Sequence, residues 1–438
     1  MTKAKLLKTK YLIIGNSAGG IGAVEAIREV DNVGAIAIVS DEPYLSYSRP
    51  LISKYLSKER TFKNMLFRPL DFYTRNNINA MLGKKVKSLE LSEHAAELES
   101  NEHIVWDKLL IATGGKPIVP KMGGAGKRGV FTFTTLNDAR SIDEFIESAS
   151  KAVVIGGGLI GISVTEALKK RGVKVTVVEM KGKILNTILD EQASTMIEKV
   201  LEQAGVGVIT GSTVAEITGN ELVKGVILDN GEEILCNMVV VAIGVLPRTE
   251  LVLGTEIKVN RGIVVDRHMA TTYPDVYACG DVAEAYDFVY GANRLTPIWP
   301  NAYIGGRVAG FNMAGANSEY PGSTAMNSLN YFGLDIASAG IAIPPDSDGY
   351  ELISKERNGA YQKIVLKDDV IAGMVFVGNI EKSGIVYSLM RDRVEVGSFK
   401  RTLLSDNFGL VSLPREIWQK RLCQDTALAG GLKNDRPG

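Results

Sequence analysis

Two glycine runs are the stretches of this 438-residue chain best suited to chemistry, Gly15-Asn-Ser17-Ala18-Gly19-Gly20 and Gly156-Gly-Gly158-Leu159-Ile160-Gly161. Each follows a short apolar run, Tyr11 to Ile14 or Ala152 to Ile155, and opens a segment that reads as a helix. A glycine turn between a buried strand and a helix aims free backbone N–H groups outward at the positive end of the helix. A pyrophosphate is held there without a charged side chain. An acid about 20 residues further on then accepts a ribose hydroxyl. After the first turn the candidates are Asp41 and Glu42, with Ser40 beside them; after the second it is Glu179. Two turns of this kind imply two dinucleotides. In the first, Ser17 stands where the backbone approaches the phosphates most closely and glycine is expected.

The elements that must position these residues repeat. In the first unit a strand to Ile14, a helix over Ile21 to Glu29 and a strand over Ala35 to Val39 lead to a turn-rich segment, Pro43 to Leu56. Alternating apolar residues between Val86 and Trp106 predict a small antiparallel excursion, and Lys108 to Gly115 returns as a buried strand ending in Ala112-Thr113-Gly114. The second unit runs from Lys151 to Gly244 with the same order of parts and closes on Ala242-Ile243-Gly244. The chain then returns to the first unit through Ile263 to Asp266 and Val276-Tyr-Ala-Cys-Gly280-Asp281. Beyond Asn317, strands over Asn327 to Ile343, Gln362 to Leu366 and Val370 to Val377 and helices over Lys382 to Asp392 and Arg415 to Arg421 are expected. The fold class is α/β, with two Rossmann-like dinucleotide-binding domains and a smaller α+β C-terminal domain. The expected boundaries are 1–118 with 246–320 for the first, 119–245 for the second and 321–438 for the third.

Composition narrows the function classes. At 45% hydrophobic and 23% charged residues the chain reads as a globular protein of several domains. Lysine plus arginine equals aspartate plus glutamate, 50 each, which gives no case for nucleic acid or an anionic membrane surface. No apolar run is long enough for a membrane span, and the run after Lys3, Lys5, Lys8 and Lys10 is too short for a secretory signal, so a cytoplasmic location is expected. Cys236, Cys279 and Cys423 are too far apart for a metal or redox spacing. No metal site is expected in this chain, and any iron–sulfur centre must belong to a partner.

Gly15-x-Ser17-x-x-Gly20, Ala112-Thr113-Gly114, Gly156/Gly158/Gly161, Ala242-Ile243-Gly244 and Tyr277-Ala-Cys-Gly280-Asp281 resemble, in that order, the pyridine nucleotide-disulfide oxidoreductase superfamily. The resemblance covers the first three quarters of the chain. Tyr47-Ser-Arg49-Pro50-Leu-Ile-Ser-Lys54 is similar to a segment of rubredoxin reductases, oxygenase ferredoxin reductases and the flavin part of NADH-dependent nitrite reductase. It implies FAD at Gly15, Ser17, Ala18, Gly19, Asp41 or Glu42, Arg49, Pro50, Lys54, Val86, Ala112, Thr113, Gly114, Gly280, Asp281, Trp299 and Ala302. It implies NAD(H) at Gly156, Gly158, Leu159, Ile160, Gly161, Glu179, Ile243 and Gly244. Asp281 would bond the ribitol chain. Trp299-Pro-Asn-Ala302 precedes an apparent helix, Tyr303 to Asn312, whose positive end would meet the flavin pyrimidine, where negative charge develops on reduction. Lys54 would lie near flavin N5, paired in the look-alikes with a glutamate at the position occupied here by Ser163; Glu166, one turn on, is the candidate replacement.

The disulfide reductases carry a Cys pair, and the coenzyme A disulfide reductases and NADH oxidases one Cys, beside this segment; here the nearest position is Pro50. Flavin electrons must leave without a thiol intermediate. The expected activity is hydride transfer between NAD(H) and FAD coupled to one-electron exchange with an iron–sulfur protein or subunit, with NADH preferred because Glu179 repels a 2′-phosphate. Lys181 and Lys183 lie close enough to soften that preference. The alternatives are an NADH oxidase that reduces O₂ directly and a non-enzymatic nucleotide-binding assembly protein. Homo-oligomerisation is left open.

Overall fold

Strand β1 (Leu6–Ile14) is buried without alternation over its last four residues, Tyr11 to Ile14. The reason is its central position, paired in parallel with β2 (Ile36–Ser40) on one side and β6 (His103–Ile111) on the other. The computed structural model describes residues 6–345, 349–409 and 412–417, so Cys423 and residues 418–421 of the expected last helix lie outside them. The sheet runs β3 (Ile78–Leu82), β2, β1, β6, β5 (Ala95–Leu98), β4 (Val86–Glu90), and its β4–β5–β6 part is the expected antiparallel excursion.

The second lobe repeats the plan. Its parallel sheet contains β7 (Val130–Thr132), β8 (Lys151–Ile155), β9 (Lys174–Glu179), β10 (Gly207–Thr210) and β11 (Met238–Val241), in the order β10, β9, β8, β11, β7. The two chain crossings between the lobes, Gly115–Pro117 and Val245–Pro247, pair antiparallel with each other. After the second crossing the chain returns to the first sheet, where β12 (Val276–Ala278) pairs in parallel with β6.

Helix α1 (Ala18–Val30) follows the first glycine turn, and α2 (Ile52–Leu56) lies in the turn-rich segment. Helices α3 (Leu136–Phe145), α4 (Leu159–Lys170) and α5 (Glu191–Gln203) belong to the middle of the chain. Helix α6 (Trp299–Met313) starts four residues earlier than the sequence suggests, because Pro300 in its first turn favours a helix start. It packs against α1 at backbone distance: a Cβ on Gly306 would collide with the carbonyl of Gly19, and one on Gly310 with the carbonyl of Ala23.

The chain packs as two units, one of residues up to 186 with 194–325, the other of 187–193 with residues from 326 onward. The second unit thus begins beyond the expected 321 and takes in a short segment expected in the nucleotide-binding middle of the chain. Asp190 of that segment accepts hydrogen bonds from the buried Lys363 ammonium and the Tyr361 hydroxyl, both at 2.7 Å. The unit's sheet is antiparallel, in the order β13 (Met326–Tyr331), β14 (Leu334–Gly340), β17 (Val370–Val377), β16 (Ala360–Lys367), β15 (Tyr350–Arg357), with α7 (Ser383–Arg391) after it. The single run expected over Asn327 to Ile343 is a hairpin turning at Phe332-Gly333. Strand β15 escaped sequence reading because, as an edge strand, it carries Glu351, Glu356 and Arg357 into solvent.

Candidate functional site

The two glycine turns are built alike to the level of single atoms. Gly15 and Gly156 hold φ of +125° and +107°, which side-chain-bearing residues rarely adopt. Each rests on the alanine carbonyl that ends a neighbouring strand, Ala112 for Gly15 and Ala242 for Gly156, leaving no room for a Cβ. The Ser17 departure is harmless to the backbone. Ser17 has φ −113° and Gly158 φ −80°, both ordinary, and a Cβ at Gly158 would meet nothing within 4 Å.

Ser17 and Gly158 are the N-caps of α1 and α4, neither cap makes a side-chain hydrogen bond, and neither first turn contains an acid. Both helices therefore present uncapped N–H groups at a positive end, which fits the pyrophosphate of a dinucleotide. Leu159 and Ile160, half-buried, form the first turn of α4, and Gly161 packs on the carbonyl of Gly156. Ile243 is exposed beside Gly244 at the end of the same sheet.

Residues far apart in sequence converge at the first turn. A Cβ on Gly19 would lie 2.7 Å from Cys279 Sγ, 3.4 Å from the Ala302 carbonyl and 3.6 Å from Ala112 Cβ; one on Gly280 would lie 3.3 Å from Ala302 Cβ. The β12 end, the start of α6 and the first turn thus share one place. Asp281 follows in a short 3-10 turn, without a protein hydrogen bond or ion pair among the described residues. Burial raises its carboxyl pKa and the positive charge of Arg49 opposes the rise. A carboxylate left without a protein donor in such a place fits a hydroxyl-rich ligand chain. Trp299 packs edge-on against Phe67, ring centroids 5.1 Å apart, at the first residue of α6. Val86 is buried at the start of β4.

The structure divides the two acids after β2. Glu42 uses both oxygens within the protein, on Arg49 and on the Tyr47 hydroxyl, each at 2.6 Å. Asp41 accepts from Arg248 through Oδ2 at 2.7 Å, and among the described residues no protein donor meets its Oδ1, so of the two acids it is the less committed within the protein. Glu42 is instead the support of Arg49, whose guanidinium also donates to the Thr134 carbonyl at 3.0 Å. Pro50 is exposed in the 3-10 turn Arg49–Leu51. Sequence reasoning missed Arg248. It ties Asp41 to the Ala112-Thr113-Gly114 end of β6, since Thr113 Oγ1 donates to the Arg248 carbonyl and the Arg248 N–H to that of Gly114, both at 2.9 Å.

Glu179, at the end of β9, accepts from the Gly157 N–H at 2.7 Å and the Lys181 N–H at 2.8 Å, one on each oxygen. Its carboxylate is fixed beside the second turn with acceptor capacity remaining. Lys54 on α2 lies 3.7 Å from Glu166 on α4 and 3.5 Å from Glu59, and Lys170 pairs with both carboxylates. Cys279 and Cys236 are buried, and burial pushes their thiols up to about 12 and about 11, so both are packing residues without thiolate character near neutrality.

Comparison with known proteins agrees with this geometry. The family model described as pyridine nucleotide-disulphide oxidoreductase matches residues 9–303, and that of the rubredoxin NAD+ reductase C-terminal domain matches residues 326–394. The epsilon subunit of NADH-dependent phenylglyoxylate dehydrogenase from Aromatoleum evansii is 32% identical, covering 89% of this chain and 93% of its own. The assimilatory nitrate reductase electron transfer subunit of Bacillus subtilis is 29% identical over 88% of this chain, which spans only 50% of that relative's length. Among solved structures, a NAD-dependent persulfide reductase from A. fulgidus superposes with a TM-score of 0.85 at 25% identity, covering 96% of this chain and 84% of that one. The chain belongs to the pyridine nucleotide-disulphide oxidoreductase family and is an FAD-dependent NADH oxidoreductase.

Proposed function

We propose that this chain carries electrons between NAD(H) and an iron–sulfur protein or subunit by way of bound FAD. The observation that carries the reading is chemical. The segment from Asp41 to Leu56 contains no cysteine, and the two described cysteines are buried thiols with raised pKa, so among the described residues no thiol is at hand to accept electrons. FAD, when bound, supplies acceptance of hydride from nicotinamide and exchange of electrons singly with an iron centre. The names of the relatives support the acceptor class: one is an electron transfer subunit, another a subunit of an NADH-dependent dehydrogenase, and the C-terminal family model is that of a rubredoxin reductase.

The chain's own residues bind and orient. Residues 1–118 and 246–320 hold FAD, with the α1 N-terminus at its pyrophosphate, Asp41 at its ribose and Asp281 at its ribitol chain. Arg49, steadied by Glu42, adds positive charge beside them. Residues 119–245 hold NAD(H), with the α4 N-terminus at the pyrophosphate and Glu179 at the adenosine ribose. The α6 N-terminus lends its positive end to the flavin pyrimidine. Lys54, placed by Glu166, is assigned to the flavin edge. Residues 321–438 are assigned to the partner interface. Among the described residues no helix is long and apolar enough to cross a membrane, and with unpaired buried thiols we read the location as cytoplasmic.

The test is purification from the native source, iron analysis of whatever accompanies the chain, and anaerobic stopped-flow reduction by NADH followed by mixing with that iron protein. Rapid reoxidation by the iron protein is expected. Catalytic O₂ consumption by the isolated chain, with no iron protein bound, would replace this reading with that of an oxidase.

A further inference from the structure

The two lysines that follow Glu179 are not equivalent. Lys181 is exposed, and its backbone N–H is tied to Glu179. Lys183 is turned to helix α5, where its ammonium donates to Glu198 Oε2 and to Thr195 Oγ1, both at 3.0 Å. Glu198 also reaches the backbone N–H of Ile184 at 3.4 Å. Lys183 nevertheless starts beside the nucleotide turn. Its neighbour Ile184 packs on Gly157, where an added Cβ would lie 2.7 Å from Ile184 Cγ2 and 3.2 Å from Glu179 Cβ, and the Leu185 N–H donates to the Gly157 carbonyl at 2.9 Å.

A lysine is a point charge on a flexible stem, and its position is set by whichever anion it meets. We infer that Glu198 determines nucleotide specificity: by holding the Lys183 ammonium on α5, it withholds from the adenosine ribose a cation that would otherwise receive a 2′-phosphate. Rejection of the phosphorylated nucleotide then has two parts. Glu179 repels the phosphate directly, and Glu198 removes an attraction. The inference rests on Glu179 meeting the adenosine ribose, as proposed above.

The experiment uses the full FAD-loaded chain and two probes, adenosine 5′-monophosphate and adenosine 2′,5′-bisphosphate, with affinities measured by isothermal titration calorimetry. Wild type should prefer the monophosphate, and Glu179→Ser should move the preference toward the bisphosphate. Adding Glu198→Gln, which keeps the acceptor oxygen and removes the charge, should tighten the bisphosphate a further 3–5-fold or so and leave the monophosphate unchanged, the order of one half-buried surface ion pair. Adding Lys183→Met should abolish that gain. The inference is overturned if Glu198→Gln brings no gain, or if the gain survives Lys183→Met, which would mean that a loosened loop and not the freed cation is responsible. An unchanged preference in Glu179→Ser overturns the ribose assignment itself, and this inference with it.

Discussion

Lys54 Nζ lies 3.7 Å from Glu166 Oε2, an ion pair that joins α2 of the first lobe to α4 of the second. Glu59 and Lys170 complete a ring of alternating charge around it. If Lys54 acts electrostatically at the flavin, Lys54→Met should slow flavin reduction by NADH about tenfold, equivalent to about 1.4 kcal/mol of barrier, with FAD content unchanged. Glu166→Gln should slow it less, since Glu59 still holds the lysine. Anaerobic stopped-flow absorbance reads both; wild-type rates in Lys54→Met would remove the lysine from the site.

Asp281 separates ligand binding from stability. Because among the described residues no protein donor meets its carboxylate, and burial raises its pKa, Asp281→Asn should leave the melting temperature of the FAD-free chain unchanged or higher. The same variant should bind FAD about tenfold or more weakly, a loss of roughly 1.4 kcal/mol or more. Differential scanning fluorimetry and flavin titration give the two halves; a destabilised FAD-free chain would show the carboxylate to be structural.

Gly306→Ala should be among the most harmful single-methyl changes in the first lobe. The added Cβ runs into the Gly19 carbonyl, backbone that cannot step aside without moving the glycine turn. A cost of about 1–3 kcal/mol is expected, together with reduced flavin content after purification. Denaturant titration with absorbance at the flavin band measures both.

Thiol chemistry gives a sharp negative. In a Cys423→Ser background, Cys236 and Cys279 should resist a thiol reagent at neutral pH while the chain is folded, and react on unfolding. Cys279→Ala and Cys236→Ala should leave flavin reduction within a few-fold of wild type. A thiolate-to-flavin charge-transfer band would contradict the proposed electron path.

Acid should open the ring around Lys54 late. The hydrogen bond from Lys170, then that from the Ser57 hydroxyl, holds the Glu59 carboxyl down at about 2, against an ordinary value of 4.5. A depressed carboxylate stabilises the folded state fully above the ordinary value, and the contribution is lost as pH falls from there toward 2. Glu59→Gln should therefore show a shallower loss of stability between pH 4.5 and 2 than wild type, seen by circular dichroism against denaturant.

Much of this was legible in the sequence, because the parts that repeat are local. A glycine turn, the strand before it and the helix after it occupy one stretch of chain, and Gly15 and Gly156 announce their backbone conformations by residue type. What was not legible depends on partners distant in sequence. Asp41 and Glu42 are neighbours of like charge, and only Arg248, Arg49 and Tyr47 tell them apart. Lys183 reads as a free cation until α5 brings Glu198 to it. Strand β15 failed for a different reason, since an edge strand lacks the apolar alternation by which strands are recognised.

The first sheet also constrains the order in which the protein can be made. Its strand β1 leaves the ribosome early, but β12 and the helix that meets α1 at Gly306 are supplied only after Val276, beyond the whole second lobe. The second lobe's strands are complete once Val241 has emerged, and they can assemble while the first lobe still lacks its last strand and its covering helix. Until then the glycine turn at Gly15 has no α6 against it, and its surroundings are complete only once the chain has been made through residue 313.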